Sequence, residues 1–426
     1  VIKRLLLIGA LALAIGAAVR SLNVPVVAGS SLLPPLSLWS NMGISAPQQR
    51  WEPVWAVPVT DLVDMALAPN GSSVAWIDSK GTIRRIWGED GRMLWETPPY
   101  SGLNRVLLNR QGVVIGYSMG QGERSSLRFL HPELGASRTA LIPLRGAIQA
   151  ATLTMDGSTA LIGTNSGQLY TIPVRSDSAW AGTPRLLSEI PLSLDVQADP
   201  QSQPIVYCGT QSTIAAWKLL PQEQNLWQTP ALPIRETGQS SQISEVIAAE
   251  SGDALVRLTT VGVERTRPQI TFLEASTGRQ KWTQSLNGTN PRVKLSANGR
   301  FVAVTYSHRP NPKSIIVERK VAVFDHNGRR LFQDRGGISF SPELVAISAE
   351  GTCITVRDTQ SNLWMLDNQG RTLARLRPPQ DSTGNTLGLA RAVASRDGAY
   401  LLLHYTGKDN DQRLAFYRFQ TTERKP

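Results

Sequence analysis

The side chains able to do chemistry in this chain are few, and their spacing argues against most of it. The four histidines, His131, His308, His326 and His404, lie far apart, and no pair has the spacing of metal ligands. Neither a G-x-S-x-G elbow, a zinc signature nor a glycine loop able to cradle phosphate occurs. Asp325-His326-Asn327-Gly328 and Asp409-Asn410-Asp411 offer oxygens to calcium, but neither has the full alternating ligand set with a distal glutamate. Both read as turns, as do Asn70-Gly71-Ser72 and Asn287-Gly288-Thr289, which also match the glycan-acceptor pattern. No metal or cofactor is expected.

Charge is the more informative signal. The formal balance is +11, and Lys3, Arg4, Arg20 and Arg50 fall in a first fifty residues that hold no acid, so the rest keeps +7. Such a surplus fits nucleic acid, anionic headgroups or an acidic partner. No nucleic-acid recognition motif is present, so a protein complex of the cell envelope, an acidic polymer or lipid headgroups are the expected partners.

These charges must be positioned by short strands. From Arg292 to Asp334 the chain alternates apolar and polar residues, broken by turns at Ala297-Asn298-Gly299 and Asp325 to Gly328. Period-2 patterning punctuated by Asn-Gly turns predicts a four-stranded antiparallel meander. Its first turn recurs at Gly71, Gly112, Gly157, Gly252, Gly299, Gly351 and Gly398, with spacings of 41, 45, 95, 47, 52 and 47. The 95 spans two units, the diverged turn between them being Asp199-Pro200-Gln201. Eight units of four strands predict one all-β domain, an eight-bladed propeller over 48–422, rather than the two or three domains that length alone allows.

The second turn recurs at Gly91, Gly278, Gly328 and Gly370, followed four residues on by Trp95, Trp282, Phe332 and Ala374. An aromatic there is expected to dock one blade on the next, and Ala374 breaks the rule. The eighth unit, Ala390 to Gln420, holds only three strands. Its fourth is expected from Arg50 to Val59, closing the ring so that no sheet edge is left exposed. Cys208 and Cys353 fall in the second strands of the fourth and seventh units, too far apart for a disulfide, and read as buried small hydrophobes.

The stretch Leu273-Glu274-Ala275-Ser276-Thr277-Gly278-Arg279-Gln280-Lys281-Trp282 resembles the PQQ-like repeat of quinoprotein-type propellers. There, an acidic residue, Thr-Gly and a tryptophan recur in that order. The same repeat builds the eight-bladed lipoprotein of the bacterial outer-membrane assembly machinery. Quinoprotein dehydrogenases bind their cofactor with an adjacent cysteine pair and a calcium site. This chain has no Cys-Cys, so the resemblance implies architecture rather than quinone chemistry.

Lys3-Arg4 precede an apolar run from Leu5 to Val19. Fifteen apolar residues are fewer than the ~20 of a spanning helix but suit the core of a signal peptide. Residues 1–19 are therefore expected to be a signal peptide or membrane anchor, with the propeller outside the cytoplasmic membrane. No cysteine follows the run to carry a lipid. Residues 20–47, with Pro25, Pro34, Pro35 and Pro47, read as a Pro/Ser-rich tether, and 423–426 as a tail.

In a propeller, the loops between second and third strands and the links between blades gather on one face around the channel. There the sequence places Tyr100, Arg145, Arg235, Arg309, Lys313, Arg335 and Arg377, outnumbering the acids Glu236, Asp334 and Asp381. This is the candidate binding face. The expected function is a non-catalytic platform for protein or envelope polymer. The alternative is an extracytoplasmic hydrolase, lyase or lactonase-like enzyme at the channel mouth.

Overall fold

In the computed structural model, residues 48–422 are described apart from 119–123, 137–141, 155–157, 175–184, 188–189, 192, 198–204, 211, 219–223, 231–240, 252, 262–267, 310–316, 334–341, 382 and 409–410. Thirty-two strands follow one another among these residues. The first, β1 (Gln48–Val59), stands outside the repeat. Blade 1 is β2 (Leu62–Leu67), β3 (Ser73–Asp78), β4 (Ile83–Trp87) and β5 (Met93–Glu96). Blade 2 is β6 (Arg105–Leu108), β7 (Val114–Tyr117), β8 (Arg124–Leu130) and β9 (Ile142–Arg145). Blade 3 is β10 (Ile148–Leu153), β11 (Thr159–Thr164), β12 (Gln168–Pro173) and β13 (Arg185–Leu186). Blade 4 is β14 (Ser193–Gln197), β15 (Ile205–Gly209), β16 (Thr213–Lys218) and β17 (Gln224–Pro230). Blade 5 is β18 (Ser241–Ala248), β19 (Ala254–Val261), β20 (Gln269–Glu274) and β21 (Gln280–Ser285). Blade 6 is β22 (Thr289–Leu295), β23 (Phe301–His308), β24 (Glu318–Asp325) and β25 (Arg330–Gln333). Blade 7 is β26 (Glu343–Ile347), β27 (Cys353–Arg357), β28 (Leu363–Asp367) and β29 (Thr372–Leu376). Blade 8 takes β30 (Gly388–Ala394), β31 (Tyr400–Thr406) and β32 (Gln412–Thr422), and β1 completes it.

Each blade is an antiparallel meander, so the eight-bladed all-β propeller stands as the repeat predicts. The diverged fourth turn and Gly157 and Gly252 of the first-turn series lie outside the described residues, but the strands flanking them pair as expected. Middle strands are covered by a neighbour on both faces, which explains their unbroken apolar runs. Every position of β3 and β11 is buried. Outer strands face solvent, and in β17 the positions from Leu226 to Pro230 alternate between exposed and half-buried. Cys208 and Cys353 are free and buried in β15 and β27, where burial pushes each thiol up to about 12.

Blades are joined by two repeating contacts. At the centre, backbone N–H groups of one inner strand donate to a side chain of the blade before it. Val106 donates to Asp64 Oδ2, Ile148 to Ser125 Oγ, Ala248 to Asp195 Oδ2, Leu344 to Thr305 Oγ1 and Leu389 to Ser361 Oγ. At the rim, the outer-strand aromatic of one blade lies under the turn glycine of the next. Trp95 Nε1 donates to the Pro132 carbonyl at 2.8 Å, Trp227 to Ala275 at 2.9 Å and Trp282 to His326 at 3.0 Å. Gly278 and Gly328 have φ of 69° and 80°, and a Cβ at either would run into the Trp227 or Trp282 ring. Only glycine suits such a left-handed turn pressed against an indole.

The ring closes where the sequence predicts. β1 pairs antiparallel with β32, from Gln48 opposite Thr422 to Val59 opposite Gln412, and Trp51 lies opposite Phe419. Trp51 Nε1 donates to Thr355 of blade 7 and Trp55 Nε1 to the Gly88 carbonyl of blade 1. The expected leader at 1–19, the tether at 20–47 and the tail lie outside the described residues.

Candidate functional site

Hydrogen bonds between loops fix which ones share a face. Tyr100 N, in the β5–β6 link, donates to the Gly81 carbonyl of the β3–β4 loop at 3.1 Å, and Asn165 N, in the β11–β12 loop, donates to the Ala147 carbonyl of the β9–β10 link. Second-to-third-strand loops and interblade links thus share one end of the blades. Of the candidate residues, Tyr100 carries the Arg128 guanidinium 4.2 Å from its ring centroid. Arg145 ends β9, Arg309 follows β23 and Arg377 follows β29, all three exposed. Arg235, Lys313 and Arg335 lie outside the described residues, as do the acids Glu236 and Asp334. Among the described residues no hydrogen bond or ion pair joins Tyr100, Arg145, Arg309 and Arg377, which come from four separate stretches of the chain. Asp381 is occupied by its own turn; the Thr383 hydroxyl, with help from Asn385, holds its carboxyl below the usual range.

What the fold does bring together is a cleft between blades 6 and 7, built from four other residues. Arg292 comes from β22, Arg319 from β24, Glu343 from the start of β26 and Arg357 from the end of β27. Glu343 and Arg357 are direct cross-strand partners, the position at which opposite charges attract best in a sheet. Arg357 donates to Glu343 and, at 2.6 Å, to the Leu389 carbonyl. Arg319 stands 3.5 Å from the same carboxylate. Burial pushes the Glu343 carboxyl up, but the Arg357 hydrogen bond and the charges of Arg357, Arg319 and Arg292 outweigh it and hold the group below its ordinary range. Two cavities, of about 580 and 380 Å³, meet at Arg319 and Glu343.

Deeper in the channel, a cavity of about 200 Å³ is lined by Asp195, Glu245, Glu250, Lys294 and Arg396, among others. Arg396, at the β30–β31 turn, reaches across to blade 5. It donates to the Ala248 carbonyl at 2.9 Å and lies 3.6 Å from Asp195 and 3.9 Å from Glu250. Burial raises the Glu245 carboxyl against the opposing charges of Lys294 and Arg292, and raises Glu250 against Arg396. The remaining sequence candidates fall to ordinary roles. Asp325 Oδ1 accepts the N–H groups of Asn327 and Arg329, both at 2.9 Å, closing its own turn. His404 is buried against Gln412, and burial lowers its pKa. Among the described residues no cluster of three or more histidine, cysteine or acidic side chains is placed to hold a metal.

Reading the sequence for arginines in loops missed Arg292, Arg319, Glu343, Arg357 and Arg396. Arg292 and Lys294 did carry a signal, since both alternate with buried Val293 and Leu295. On an innermost strand, the polar half of such a pattern faces the channel.

A family model described as outer membrane protein assembly factor BamB matches residues 221–400, which span blades 5 to 7 and their borders. Among solved structures, BamB from Moraxella catarrhalis is 16% identical, over 87% of this chain and 100% of that one, with a TM-score of 0.58. The chain is similar to PQQ-like propellers. Hydrazine synthase of Kuenenia stuttgartiensis is 12% identical, over 85% of this chain and 96% of that one, at a TM-score of 0.51. The computationally designed Ika8 protein is 14% identical, over 83% and 96%, at 0.52. At such identities the likeness is one of fold, which enzymes and scaffolds share. No curated protein matches the sequence.

Proposed function

We propose that this propeller is a non-catalytic binding platform of a bacterial cell envelope, engaging a partner of the outer-membrane assembly type through its loop-bearing face. The observation that carries the reading is the match of residues 221–400 to an assembly-factor family. The same stretch holds Arg292, Arg319, Glu343 and Arg357, the charged cleft beside the channel mouth. A rigid ring that displays charged side chains beside its loops suits recognition of another macromolecule. The apolar run Leu5 to Val19 behind Lys3-Arg4 supports export, with the propeller outside the cytoplasmic membrane.

Capture of the full chain from detergent-solubilised native membranes tests the platform. One recurrent envelope-complex partner is the expected result. Absence of any partner, together with small-molecule turnover by the purified chain, overturns it in favour of an enzyme. Protease added to intact spheroplasts should digest an anchored propeller, and protection until lysis places it in the cytoplasm instead.

A further inference from the structure

We infer that the cleft of Arg292, Arg319, Arg357 and Glu343 receives an acidic segment of a protein partner, whose carboxylate shares these guanidinium groups with Glu343. This rests on the platform reading and names the chemistry of its contact. Three guanidinium groups surround one available carboxylate. Arg357 spends its donors on Glu343 and the Leu389 carbonyl. Arg319 is 44% exposed and only 3.5 Å from Glu343, beyond a tight charged hydrogen bond. Arg292 lines the smaller cavity, and its charge acts on Glu343, but among the described residues it has no hydrogen-bonded or ion-paired acceptor. The other acid in the wall, Asp358, has both oxygens engaged within its own turn. Oδ1 accepts Gln360 N and Asn362 N, and Oδ2 accepts Asn362 Nδ2 and Trp364 Nε1.

Guanidinium donors therefore outnumber free acceptors around these cavities. A second carboxylate could take forked hydrogen bonds from Arg292 and Arg319 without displacing any packed side chain. The walls choose among acidic ligands. Val317 stands 42% exposed beside the arginines, so an aliphatic surface adjoins the charged one in a concave space of about 580 Å³. An acidic residue flanked by an aliphatic one fits such a recess, whereas a flat layer of headgroups presents no apolar side chain to Val317.

The test uses a fluorescent peptide of alternating aspartate and leucine, with its asparagine counterpart as control, followed by anisotropy on the full chain. The aspartate peptide should bind and the asparagine peptide should not. Binding should weaken as salt rises from ~0.1 M to ~1 M, which shortens the screening length from ~10 Å to ~3 Å. The double variant Arg292→Gln/Arg319→Gln should lose about tenfold or more in affinity, the weight of a charged hydrogen bond. Glu343→Gln should do the opposite and tighten binding several-fold, because it removes the competing carboxylate. A merely structural Glu343 would not yield tighter binding. Equal binding of both peptides, no effect of the arginine pair, or weaker binding by Glu343→Gln overturns the inference. So does binding to phosphatidylglycerol vesicles with none to the peptide, which reassigns the cleft to lipid. If Glu343→Gln fails to fold, the arginine pair decides alone. Native-membrane capture that survives the arginine double variant removes the cleft as the contact yet leaves the platform standing.

Discussion

Glu245, on the innermost strand of blade 5, shows how a side chain can be held at a cost to the fold. Burial raises its carboxyl, Asp195 adds to the effect, and Lys294 and Arg292 offset only part of it. A carboxyl whose folded value is raised binds its proton more tightly folded than unfolded, so its contribution to stability falls as pH rises through that window. Below the ordinary glutamate range, near ~4.3, the group is neutral in both states and costs nothing. Glu245→Gln should therefore raise the melting temperature at neutral pH, and the gain should vanish in acid. A gain that persists unchanged at low pH, or a loss at neutral pH, would show that the charge is favourable where it stands. Glu343 has the reverse sign: its folded value is depressed, so its contribution is present above the ordinary range and lost in acid.

At the scale of elements, blades 1, 4, 5, 6 and 8 are each fastened to the next by an aromatic on the outermost strand, Trp95, Trp227, Trp282, Phe332 and Trp55. Trp95 is 7% exposed, sits under Gly135 and donates to the Pro132 carbonyl of blade 2. Trp95→Ala should destabilise by about 3–5 kcal/mol, as emptied aromatic sites do. Trp95→Phe keeps most of the packing, loses the N–H donor and should cost about 1 kcal/mol. Denaturant titration separates the two, and equal losses would mean that the hydrogen bond rather than the ring fastens the blades. The missing aromatic at Ala374 has a topological cause. In blade 8 the third and fourth strands, β32 and β1, come from opposite ends of the repeat, so no turn glycine joins them. Ala374 shares its apolar cluster with Trp51 of β1, which reaches back to blade 7 instead.

For the whole ring, closure is a matter of one strand. β1 supplies the outer edge of blade 8 and ties that blade to both neighbours through Trp51 and Trp55. Deleting residues 48–59 strips β32 of its outer partner, leaving a long edge and exposing Phe416, which now stacks on Trp55, and Phe419, which now meets Trp51 edge-on. The expected outcome is an aggregating protein of lower melting temperature, measured by light scattering and calorimetry. A deletion variant that stays monomeric with unchanged melting would show that the seam is held elsewhere. Arg396 of blade 8 adds a tie to blade 5, through the Ala248 carbonyl and Glu250.

The architecture was legible in the sequence because its determinants are local. Turn glycines at a period in the forties, runs too short for helices and a three-stranded final unit specify eight blades and an N-terminal seam strand. Trp95, Trp282 and Phe332 could be assigned to docking from their fixed distance past a glycine, since the repeat carries that geometry with it. The cleft was not legible. Arg292, Arg319, Glu343 and Arg357 come from four strands of two blades, and their meeting depends on strand register and on how those blades stack. Period-2 patterning tells which face of a strand a side chain leaves from. It does not tell which residue of the next blade that side chain meets, and only the closed ring decided that.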